Sequence, residues 1–248
     1  MSLSASEGRP LEDFSRYLAT EEAPLVVGGQ AVNLWALFYR RATEGLEPFV
    51  SKDVDLLGDR KLLEEVARLG GVKPHFFPLK PPSNEVGYAA PVDGSDMPLV
   101  IEVLRWVNGV SSEELLRDSV IMGVGPSKIP VRLPSPVYLL KAKLANMTSI
   151  SQEGRQDAKH LEILWRVIPA YFDQMIKSLT DGKRTERDVV NLLGTLLEIV
   201  TSSPSPAILE QLQLSSDDLF SGLPNSRHHK IASFRKHQLT RAFSSDKK

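Results

Sequence analysis

The chain reads as an α/β (α+β) protein, with a mixed β-sheet in the N-terminal half and a helical C-terminal half. Two patterns predict this. Between Pro24 and Leu133, short apolar runs bounded by glycine, proline and aspartate recur at strand length, interrupted by two helical patterns. Beyond Pro134 the apolar residues return at helical spacing almost to the end. A third observation sets the scale: 248 residues, 42% apolar and 25% charged, supply a core for one large domain or two modest ones.

Residues 1–9 read as disordered, and Pro10 to Thr20 as a short amphipathic helix carrying Leu11, Phe14 and Leu18. Pro24–Val27 is a strand, and Gln30–Arg40 a helix apolar on nearly every side, hence buried. A loop over Ala42–Pro48 precedes a strand at Phe49–Leu57. Asp59 caps a helix through Leu69, which Gly70 and Gly71 close. Three strands follow at His75–Leu79, Glu85–Pro91 and Leu99–Val107, the last two joined as a hairpin by Asp93-Gly94-Ser95-Asp96. A short segment around Glu113–Val120 and a strand at Ile129–Leu133 lead to Pro134. Helices are expected over Ser135–Ile150, Arg155–Leu179, Thr185–Ser202 and Ala207–Leu214. Pro169 should break or kink the second of these, and Pro204 and Pro206 separate the last two. The expected organisation is an α/β domain over 10–133, a helical domain over 134–224 and a basic tail over 225–248.

Composition excludes several chemistries. Cysteine is absent, so disulfides, thiolate zinc sites and cysteine nucleophiles do not arise. No run approaches the roughly 18 uninterrupted apolar residues of a membrane span. Met1–Arg9 lacks the basic and apolar regions of a signal peptide, so a cytoplasmic location and no membrane association are expected. The net charge of −1 is unevenly spread: Asn225–Lys248 holds seven Lys/Arg against Asp246 alone, leaving 23 basic and 30 acidic groups before it. Such a tail either keeps the terminus solvated or reaches for nucleic acid or another acidic partner.

The chemistry concentrates around Asp53 and Asp55. On a strand, residues i and i+2 share a face roughly 6–7 Å apart, so both carboxylates project together while Val54 and Leu56 enter the core. Two anions side by side on an apolar strand repel one another unless a divalent cation lies between them. Upstream, Gly28-Gly29 joins an apolar strand to an apolar helix, a geometry that serves either as an ordinary turn or as a place where backbone N–H groups hold phosphate. A third carboxylate is needed where two magnesium ions are to be held about 4 Å apart. Glu102, inside the apolar strand Leu99-Val100-Ile101-Glu102-Val103-Leu104, is the candidate for it, a salt bridge to a basic neighbour being the other reading.

The order strand, Gly-Gly, apolar helix, Asp-x-Asp strand, helix and two strands with an acidic residue resembles the nucleotidyltransferase superfamily that includes DNA polymerase beta. Leu139-Leu140-Lys141-Ala142-Lys143-Leu144-Ala145 and Arg155-Gln156-Asp157-Ala158-Lys159-His160-Leu161 are similar to motifs of its AbiEii-type branch, the nucleotidyltransferase toxins of abortive-infection and toxin–antitoxin systems. Position 160 carries histidine where that branch often has a second aspartate. The resemblance implies a nucleotidyltransferase-like fold and a transferase using an NTP and magnesium, two ions being expected. The ions would be held by the catalytic residues Asp53, Asp55 and Glu102. It also implies nucleotide binding through Gly28, Gly29 and Lys143, with Asp157 orienting the lysine or a base. Lys141 flanks the same apolar helical stripe on its other side, and the helical wheel alone does not choose between the two lysines. The implied acceptor is RNA, for instance a tRNA end, or a protein side chain, and the implied partner is an antitoxin protein. A catalytically silent nucleotide-binding regulator of the same fold is the alternative.

Overall fold

The computed structural model of the protein describes residues 8–78, 83–92, 99–182, 184–224 and 228–244. Residues 1–7, the expected strand end at Leu79 and the expected turn Asp93-Gly94-Ser95-Asp96 lie outside the described residues. The fold is mixed α/β, and its contacts divide the chain into two units, Met1–His160 and Leu161–Lys248. That division falls inside a helix, beyond the boundary expected at 133.

In the first unit, the described strands are β1 (Leu25–Val27), β2 (Asp53–Leu57), β3 (His75–Phe76), β4 (Glu85–Ala89), β5 (Val100–Leu104), β6 (Val120–Val124) and β7 (Ile129–Leu133). They form one sheet in the order β3-β4-β5-β2-β1-β7-β6. β2 runs parallel to β5 and antiparallel to β1, and β1 runs parallel to β7. The edges are antiparallel pairs, β3 with β4 and β6 with β7. Alternation sets the faces of the two central strands. Val54, Leu56, Ile101 and Val103 are fully buried, while Asp53, Asp55 and Glu102 lie on the other face, partly exposed.

Local chemistry starts the helices of this unit. α1 (Gly28–Phe38) begins at Gly28, two residues before the expected start, because the backbone turns directly out of β1 there. α2 (Arg60–Gly70) is capped by Asp59, which accepts from the Leu62 N–H at 3.2 Å, and ends at Gly71 with φ 63°. α3 (Ser112–Arg117) opens with a Ser111–Glu114 capping box. α4 (Pro136–Ser149) has Ser135 as its cap and Pro136 in its first turn.

Several expectations are corrected. Leu11–Leu18 is a 3₁₀-helix, and its buried Leu11, Phe14 and Tyr17 recur every three residues, the period of that helix. Arg9 is not disordered: it bridges to Ser51 through backbone hydrogen bonds of 2.8 and 3.1 Å. The strand expected at Phe49–Leu57 begins at Asp53, where β5 first supplies a partner, and β1 joins from Asp55; upstream, among the described residues, only the Arg9 bridge pairs with it. β6 was not expected, and it is held by its hairpin with β7.

The second unit continues α5 (Asp157–Lys177), which runs unbroken through Pro169 where a break or kink was expected. The lost N–H is outweighed by the burial of Trp165, Val167, Ile168, Tyr171 and Phe172 around it. α6 (Glu186–Thr201) and α7 (Ser205–Gln211) meet across Pro204. The expected basic tail is helical over α8 (His229–Phe234), a π-turn at Arg235–Leu239 and α9 (Thr240–Ser244). Ile231, Phe234 and Leu239 are buried, and the wider π-turn brings Leu239 inward five residues after Phe234. Among the described residues, no single helix is long and apolar enough to cross a membrane.

Candidate functional site

A cavity of about 280 Å³ opens in the first unit over the polar face of β2 and β5. Its floor follows from strand register. Asp53 and Asp55 share a face, and Glu102 lies directly beside Asp55 in the parallel β2–β5 pairing, one strand spacing of about 4.8 Å away. Glu85 of β4 adds a fourth carboxylate to the lining.

Gly28 and Gly29 form the wall where β1 becomes α1. Gly28 has φ 65°, and a Cβ there would sit 1.8 Å from Asp55 Oδ2, so both conformation and close approach require glycine. A Cβ on Gly29 would lie 3.2 Å from Ser51 Oγ and 3.0 Å from the His160 ring. Among the described residues, no side chain caps the start of α1, and its first turn carries no acid. Its opening N–H groups therefore await an acceptor beside the cavity. Ser51, two residues before Asp53, donates to Asp53 Oδ1 at 3.1 Å.

The remaining wall comes from α4 and the start of α5. Lys143 is buried and donates to Asp157 Oδ1 at 2.7 Å. Arg155 Nε donates to the other oxygen of Asp157, also at 2.7 Å. Lys141 stands apart: it pairs with Glu114 at 2.7 Å and does not line the cavity. The choice between the two lysines is thus made by the helix face that α4 turns towards α5.

Charge is unbalanced here. Among the described residues, the cavity lining holds five carboxylates, Asp53, Asp55, Glu85, Glu102 and Asp157, against three cations, Lys52, Lys143 and Arg155. Burial, then the charge of Asp53, pushes the Asp55 carboxyl up to about 7. Burial, then Asp55 and Asp53, raises Glu102 to about 7 as well. For Asp157 burial acts upward, but Lys143 and Arg155 outweigh it and hold the carboxyl down at about 2. Burial, reinforced by Lys143, keeps the His160 imidazole well below its usual 6.5 and therefore neutral. Both of its ring nitrogens are buried and without a partner among the described residues.

Among the described residues, no three His, Asp or Glu side chains already surround a single metal position. The donor chemistry on the floor is nonetheless of one kind, carboxylate oxygens held against their mutual repulsion, which suits a hard cation such as magnesium. Ser51, Glu85, Arg155 and His160 join the residues singled out in the sequence. Ser51 was legible as the i−2 neighbour of Asp53, and His160 as the i+3 neighbour of Asp157 on one helix face. Glu85 carried no signal.

No family model, no curated protein and no solved structure matches the chain.

Proposed function

We propose that the protein is a magnesium-dependent nucleotidyltransferase that moves a nucleoside monophosphate from an NTP to an acceptor hydroxyl. One observation carries the reading: Asp53, Asp55 and Glu102 share a sheet face and line one cavity with the uncapped start of α1 and with Lys143. Magnesium, as two ions on these carboxylates, would neutralise the triphosphate and polarise its α-phosphorus. The Gly28-Gly29 backbone allows the phosphates to approach, and the first N–H groups of α1 donate to them. Lys143, steadied by Asp157, adds positive charge. The acceptor oxygen bonds to the α-phosphorus as the bond to the α–β bridging oxygen breaks, and pyrophosphate leaves. Whichever of Asp53 and Asp55 is nearer the incoming hydroxyl accepts its proton. The fold in this reading is nucleotidyltransferase-like, the acceptor is RNA, for instance a tRNA end, or a protein side chain, and the setting is a cytoplasmic toxin–antitoxin or abortive-infection system with an antitoxin partner.

The test is to incubate purified protein with magnesium, each NTP labelled at the α-phosphate, and RNA or protein acceptors. Transfer of label is expected, and it should vanish in the Asp53→Ala/Asp55→Ala variant. Labelling that survives this double substitution sinks the mechanism. A second reading, a nucleotide-binding regulator without catalysis, is favoured by the histidine at position 160, where the resembled branch often has a second aspartate. Metal-dependent NTP binding with no transfer to any acceptor would select it.

A further inference from the structure

His160 is the one cavity-lining imidazole, 5% exposed, and none of the described residues partners either of its ring nitrogens. A neutral imidazole carries one N–H donor and one lone pair, and both are buried here without a hydrogen bond. Native proteins rarely leave such groups unmet unless something else meets them. The location narrows what that is. The ring lies against Gly29 in the first turn of α1, its Cε1 3.0 Å and its Nε2 3.3 Å from where a Cβ would stand. An anion seated on the uncapped N-terminus of α1 therefore comes within reach of the ring. Lys143, the charge that acts most strongly on the ring, favours an anionic ligand at the same spot. The partners of the neighbouring groups are already assigned: Lys143 and Arg155 to Asp157, Ser51 to Asp53.

We propose that His160 is a ligand-contacting residue that donates its ring N–H to a phosphate oxygen of a triphosphate seated on the start of α1. This rests on the nucleotidyltransferase reading, and the experiment separates the two. Magnesium-ATP is titrated calorimetrically into the full-length protein and into His160→Ala and His160→Gln variants. In parallel, the imidazole signals of the nitrogen-15-labelled wild-type chain are followed on adding ATP or AMP. The His160 signals should move with ATP and much less with AMP, which lacks the β- and γ-phosphates. His160→Ala should raise Kd about tenfold, the loss of one hydrogen bond to a charged group, with partial rescue by the amide of His160→Gln. If a variant does not fold, substituting His75, His228, His229 and His237 assigns the His160 signals by elimination, and the wild-type spectra decide. Wild-type binding of ATP with unmoved His160 signals and an unchanged Kd in His160→Ala would overturn the inference alone. Wild-type protein that binds no magnesium-ATP would overturn the nucleotidyltransferase reading and this inference together.

Discussion

Asp55 and Glu102 show how single residues concentrate negative charge that burial makes costly. Each carboxyl is raised to about 7, from ordinary values of 3.8 and 4.5, by burial and by its acidic neighbours. The folded protein thus binds protons more tightly than the unfolded chain between about pH 4 and pH 7. Stability from these groups is present at low pH and lost as pH rises through 7. Without divalent ions, Tm should fall by roughly 5 °C between about pH 5 and pH 8, and Asp55→Asn should flatten that fall. Magnesium should raise Tm at the higher pH far more than at the lower, measured by thermal melts across the series. Gly28 and Gly71 offer a paired test. Both have positive φ, but a Cβ would strike Asp55 at Gly28 and meet nothing within 4 Å at Gly71. Gly28→Ala should cost about 3 kcal/mol in urea unfolding, and Gly71→Ala about 1 kcal/mol.

Between elements, the Lys143–Asp157 pair ties α4 to the first turn of α5, and both side chains are almost wholly buried. Removing Asp157 leaves Lys143 as a buried charge without its carboxylate, whereas removing Lys143 leaves Asp157 with Arg155 alone. Asp157→Asn should destabilise by about 3 kcal/mol and Lys143→Met by less, and Lys143→Met/Asp157→Asn should cost less than the two single losses added together. Denaturant titration of the four proteins measures the coupling. Because Asp157 is held at about 2, its contribution is present above about pH 4 and is lost as pH falls towards 2. α5 also shows propensity yielding to burial: Pro169 signals a break, yet the buried side chains around it carry the helix through.

On the scale of the whole molecule, every described residue lining the cavity belongs to the unit ending at His160, while the basic C-terminal helices belong to the unit beginning at Leu161. Phosphate contacts by those helices are sequence-independent and salt-sensitive. Lys230 and Lys236 are exposed there. If RNA is the acceptor, Lys230→Glu/Lys236→Glu should weaken binding of labelled RNA in fluorescence anisotropy and flatten its salt dependence, with stability changing by less than about 0.5 kcal/mol. RNA binding that is unaffected would detach the basic helices from the acceptor.

The sequence by itself determined the fold class, the Asp53-Val54-Asp55 alternation and the cap at Asp59, because strand period and capping are local properties written into neighbouring residues. It also carried the glycine pair, though not the reason Gly28 must be glycine. Only the tertiary structure decided that Asp55 presses against Gly28, that Glu102 sits beside Asp55, and that Lys143, not Lys141, lines the cavity. Those choices depend on strand register and on which helix face turns inward. Both are set by packing between segments far apart in the chain, where no short-range pattern records them.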